Sequence, residues 1–142
     1  MGSPEGTAPL EPLDELLAVL DLRHLGEAHV RVDGVEGDEE SMRFLRHEAG
    51  HAFNYAFRLF DRIDWRGMFG AFGAPYRDRY RVDPLSRDYV RHILAWYAQK
   101  HPDEDFAETF AVWLTPDVDW RRAYAGWPAL RKLEYVDQLM RE

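Results

Sequence analysis

A chain of 142 residues that is 46% hydrophobic and 14% aromatic is sized for one domain with a real core, and its composition is not that of a disordered chain. A net charge of -8 argues against a nucleic-acid partner, which announces itself as a basic excess. The absence of cysteine excludes disulfides, thiolate metal sites and a cysteine nucleophile, so any metal must be held by His, Asp or Glu.

Residues 1–12, MGSPEGTAPLEP, mix Gly, Pro, Ser and Thr without periodicity and read as a flexible tail ahead of an ordered domain spanning 13–142. The tail has neither the basic start nor the apolar run of a signal peptide, and no later segment approaches a membrane-spanning length. The expectation is a cytoplasmic protein with no membrane partner, provided the chain is full length. Leu13, Leu16, Leu17 and Leu20 then recur at helical spacing, and EAHVRVDG, residues 27–34, alternates around Val30 and Val32 into an Asp-Gly turn, which predicts a strand.

From Asp38 the pattern turns helical, with acidic residues in the first turn and an apolar stripe through Phe44, Leu45, Ala49, Ala52, Phe53 and Phe57, to about Phe60. Residues 66–86 are broken by Gly67, Gly70, Gly73, Pro75 and Pro84 and predict a long ordered loop of the kind that carries function. SRDYVRHILAWYAQ predicts a helix from a Ser86 cap to about Lys100. Another follows Pro102, with acidic residues at its positive end and Pro116 closing it; one or two more divide near Gly126-Trp127-Pro128. The sum is an α+β domain, mainly α, with a small sheet.

The chemistry concentrates in "FLRHEAGHAF", residues 44–53. On a helix, His47 and His51 stand one above the other and can aim imidazole nitrogens at one ion, while Glu48 would face a water on it. That arrangement suits a catalytic zinc, which takes three protein ligands and leaves a fourth position open, with the glutamate as general base. The bland alternative is a polar helix face, but two histidines and a glutamate amid apolar flanks must be ligated or paired to offset their desolvation. Asn54 and Phe57 stand where the glycine and the third histidine of the HExxHxxGxxH type would fall, so the third ligand must come from elsewhere: Glu104, Glu108, Asp105, His92 or His101. In EDFAETFA, Glu104 and Glu108 share one helix face, which suits a ligand and a carboxylate that orients a ligating histidine; a solvated acidic helix start is the competing reading.

His47-Glu48-Ala49-Gly50-His51 followed by Glu104-Asp105-Phe106-Ala107-Glu108 resembles the gluzincin metallopeptidases, and RHEAGH with YAQKHPDEDFAETFAVWL is similar to the bacterial zinc-binding metallopeptidases related in motif to lethal-factor-type toxins. The likeness is best over residues 44–114. It implies a compact zincin-like domain with one Zn²⁺ per chain held by His47, His51 and Glu104. It further implies Glu48 as the base, Glu108 behind a ligand, and Tyr97, seven residues before Glu104, as a hydrogen-bond donor to the oxyanion; core packing is the other reading of Tyr97. Members of the bacterial group often carry a cysteine-rich zinc ribbon, which this cysteine-free chain lacks.

Tyr76 and Tyr80, on the glycine-rich loop, are candidate substrate contacts. His24, His29, His92 and His101 read as structural or surface residues, and Trp120, Tyr124 and Trp127 as core. The expected function is hydrolysis of peptide bonds in a peptide or protein substrate, the strand at 27–34 holding it extended. A zinc-containing, non-catalytic peptide- or protein-binding module is the alternative, and a protease confined to one target is a third. Substrate, specificity and oligomeric state are not encoded in these patterns.

Overall fold

The computed structural model describes residues 36–93 and 96–142. Helix α1 (Glu36–Ala56) leads through a 3-10 turn (Leu59–Asp61) to α2 (Ile63–Phe69). A long irregular stretch and a second 3-10 turn (Tyr97–Lys100) deliver the chain to α3 (Pro102–Leu114), followed by α4 (Trp120–Ala123) and α5 (Ala129–Leu139).

α3 is the centre of the molecule. Its start follows from local chemistry: Pro102 occupies the first turn, and the His101 ring caps it by accepting from the Asp103 backbone N–H at 3.0 Å. Its burial follows from Phe106, Phe110 and Leu114, which join Ala49, Leu59, Trp65, Phe69, Val136 and Leu139 in one apolar cluster. Val112 joins Val90, Trp120, Ala129 and Leu133 in a second. Fully burying side chains of this size contributes roughly 1.5–3 kcal/mol each. α1 crosses α3 closely because Gly50 brings no side chain to the crossing, where a β-carbon would meet Ala107 Cα at 2.9 Å.

Several expectations need correction. The described residues are helical with no strand, so the α+β class with a small sheet gives way to an all-α arrangement; the segment read as a strand, 27–34, lies outside the described residues, as do the tail, the leucine-rich helix, His24 and His29. Among the described residues of 86–100, the helix expected from Ser86 to Lys100 is absent except for its last turn. Its backbone is captured by side chains from elsewhere: Tyr124 Oη accepts from Arg91 N–H at 3.1 Å, Glu108 from Ile93 N–H at 3.1 Å, and Lys132 donates to the Asp88 carbonyl at 2.7 Å. Conversely α2 forms where a loop was expected to begin, because burial of Trp65 and Phe69 outweighs the roughly 1 kcal/mol cost of Gly67 within a helix. Phe44 and Leu45, expected to bury the motif helix, are exposed; Ala49 and Phe53 face the core instead.

Candidate metal centre

α1 and α3 hold all the convergent groups. His47 and His51 are one turn apart on α1 and meet edge to face, and their Nε2 atoms lie 3.0 Å apart. Glu104, in the first turn of α3, places Oε2 2.8 Å from His47 Nε2 and 3.1 Å from His51 Nε2. These three residues form a cluster able to hold a metal ion.

The other ring nitrogens explain why. Nδ1 of His47 lies 3.1 Å from Glu108 Oε2, and Nδ1 of His51 lies 3.0 Å from Asp103 Oδ1. An ionised carboxylate only accepts, so each Nδ1 is a protonated donor, and what each Nε2 presents inward depends on the charge of the ring: a proton toward Glu104 when it is an imidazolium, a lone pair when it is neutral. With both rings neutral, two lone pairs and a carboxylate oxygen converge and repel one another unless a cation sits among them. Tetrahedral zinc ligands at about 2.0–2.1 Å from the ion stand roughly 3.3 Å apart, so the observed triangle fits zinc after opening by a few tenths of an ångström. The donor set of two imidazoles and one carboxylate is that of catalytic zinc with one position open.

The electrostatics agree. Burial lowers the His51 pKa, but hydrogen bonds to Asp103 and Glu104 outweigh it and hold the ring at about 10. Burial likewise disfavours a charged Glu104, yet bonds from His47, His51 and Tyr76 keep its carboxyl well below the usual range. The pocket therefore favours added positive charge, whether proton or metal.

The acidic start of α3 is no solvated face: Asp103, Glu104, Asp105 and Glu108 are all buried. Glu108 also accepts from Ile93 N–H, and Asp105 is paired with Lys132 Nζ at 2.7 Å. Tyr76 donates to the second oxygen of Glu104 at 2.8 Å, and the Tyr97 ring lies 5.6 Å from that of His47. The Tyr76 and Tyr97 phenols are in hydrogen-bonding contact, and burial raises both pKa values and keeps the hydroxyls protonated. Tyr80 is near enough for the charges of Glu104 and Glu108 to add to the effect of burial on its phenol. Glu48 is exposed, on the same face of α1 as His51 and Tyr55.

His92 and His101 are structural, with Nε2 donating to the carbonyls of Arg43 at 3.0 Å and Ala74 at 2.8 Å. Trp120 belongs to the core, with Tyr124 and Trp127 packed against it. Sequence reasoning missed Asp103, which also accepts from Asn54 Nδ2 at 3.3 Å and from the Tyr55 hydroxyl. The available signals were the position of Asp103 beside Glu104 and the spacing of Tyr55 four residues after His51.

The arrangement is a helical cluster of two histidines and one carboxylate that could hold a metal ion. Residues 28–123 match the family described as "Putative zinc-binding metallo-peptidase", and the chain belongs to that family. No curated protein and no solved structure matches the chain. No helix among the described residues is long and apolar enough to cross a membrane.

Proposed function

We propose that the protein is a zinc-dependent peptidase in which His47, His51 and Glu104 hold one zinc ion and Glu48 is the general base. The observation that carries this reading is the inward convergence of both Nε2 atoms and Glu104 Oε2, each imidazole fixed from behind by its own carboxylate. When bound, zinc supplies a Lewis acid that polarises a carbonyl and brings the pKa of water toward about 7. Glu48 takes the proton of the attacking water and delivers it to the leaving amine. Tyr97, held protonated beside His47, donates a hydrogen bond to the oxyanion that develops on the attacked carbonyl. Tyr76 fixes the Glu104 carboxylate through its outer oxygen, and with Tyr80 flanks the path of a peptide substrate.

Elemental analysis after zinc reconstitution tests the ligands. The expected result is about one zinc per chain in the wild type and a marked loss in Glu104→Ala; a zinc-replete variant sinks this ligand set. A peptide library then tests the chemistry, with Glu48→Gln expected to keep zinc and lose hydrolysis. A zinc-loaded wild type inert across the library would favour the binding-module reading instead.

A further inference from the structure

Away from the metal ligands and their carboxylate partners, α1 helps to form a cleft of about 280 Å³ lined by Glu39, Arg43, Arg46, Arg91, His92 and Tyr124, with Val112 and Thr115 of α3 among its apolar walls. That volume is at the small end of ligand sites, which run from roughly 300 to 1,000 Å³. In a chain of net charge -8, three arginines and one carboxylate meet among the described residues that line this cleft.

The guanidiniums are poorly matched within the protein. Arg46 is 94% buried by its relative exposure of 6%, and its Nε has no hydrogen-bond partner among the described residues. Its one ion pair among the described residues, Nη1 to Glu39 Oε1, spans 3.4 Å, and the Glu39 side chain is 54% exposed. A strong charge-assisted N–H···O bond is about 2.7–2.9 Å, so this pair is loose. Among the described residues, Arg43 donates to the His92 carbonyl at 3.4 Å, and Arg91 donates to the Pro84 carbonyl at 3.0 Å and lies over the Trp127 ring, 5.2 Å from its centroid; both are exposed, with N–H groups to spare. A buried guanidinium with an unused Nε–H is costly unless something accepts from it, and a planar oxyanion matches its fork.

We propose that this cleft is an oxyanion-binding site, distinct from the metal centre, that takes a small carboxylate- or phosphate-bearing ligand on Arg46, with Arg43 and Arg91 at its rim. Glu39 acts as the resident competitor, occupying Arg46 weakly until the ligand displaces it.

The test is a titration of the purified protein with sodium phosphate and, separately, sodium succinate. The readout is the ¹H–¹⁵N resonance of the Arg46 Nε–H, with sodium chloride at matched ionic strength as the control. The expected result is a saturable shift absent from chloride. Arg43→Gln should weaken binding about tenfold, the scale of one charge-assisted contact, whereas Glu39→Gln should tighten it by removing the competitor. Neither variant touches the metal ligands, so binding at the metal centre would not follow this pattern. Tighter phosphate binding marks a phosphoryl-bearing ligand and tighter succinate a carboxylate-bearing one; either upholds the site. A non-saturating shift, an equal chloride response, or an affinity indifferent to both substitutions overturns it.

Discussion

Gly50 of α1 and Ala107 of α3 meet at backbone contact: a β-carbon on Gly50 would lie 2.9 Å from Ala107 Cα, 3.1 Å from its carbonyl oxygen and 3.2 Å from Phe110 Cβ. These atoms are backbone or close to it, so the neighbour has little room to give. The contact sets the spacing of the two helices, and therefore the distance from His47 and His51 to Glu104.

Gly50→Ala should accordingly destabilise the fold by about 1–3 kcal/mol net, overpacking outweighing the roughly 1 kcal/mol gain in helix propensity. Zinc affinity should fall with it. Urea denaturation and a zinc-competition titration check both, and a variant more stable than wild type would mean the crossing is not tight.

Gly67→Ala should have the opposite sign. Gly67 also lies within a helix, α2, but a β-carbon there meets nothing within 4 Å. With no steric cost, the gain should be about 0.5–1 kcal/mol, seen as a higher urea midpoint with an unchanged slope.

Glu108→Gln and Asp103→Asn should each weaken zinc binding about 10- to 100-fold while leaving the ligands in place, because each carboxylate fixes the tautomer and orientation of one imidazole. Competition with a chromogenic chelator measures this. Affinities within twofold of wild type would show that the histidines need no such support.

Lys132→Met should cost about 1–3 kcal/mol, because it removes the Lys132 Nζ partner of the buried Asp105, whose second oxygen already lacks one. Burial, opposed by Lys132, already pushes the Asp105 carboxyl up to about 7, so without the lysine the acid takes a proton rather than remaining as a charge. Thermal unfolding at neutral pH reads it, and a loss below about 0.5 kcal/mol would show that Asp105 does not depend on this contact.

Asp64 gives a pH-dependent contribution at the surface. Hydrogen bonds from Arg62, opposed by partial burial and aided by Tyr135 and the Trp65 N–H, lower its pKa to about 2 from an ordinary 3.8. A depressed carboxyl stabilises above its unfolded pKa and loses that stabilisation as pH falls through the folded value. The stability difference between wild type and Asp64→Asn should therefore be full above about pH 4 and shrink toward pH 2. A difference constant over that range would remove Asp64 as the cause.

The sequence by itself determined what is local. His47 and His51 four apart on a helix, Pro102 at the start of α3 and Pro116 beyond its end are short-range relations, fixed by helical period and backbone sterics before any packing occurs. Only the tertiary structure decided that Glu104 rather than another acid faces both Nε2 atoms, that Asp103 stands behind His51, and that an orphaned Arg46 borders a second cleft. These pairs are separated by dozens of residues and join through the crossing of α1 with α3 and the chain that covers it. The misread segment at 86–100 has the same cause: its apolar stripe was legible, but side chains of Tyr124, Glu108 and Lys132 satisfy its backbone, and a helix is no longer needed to do so.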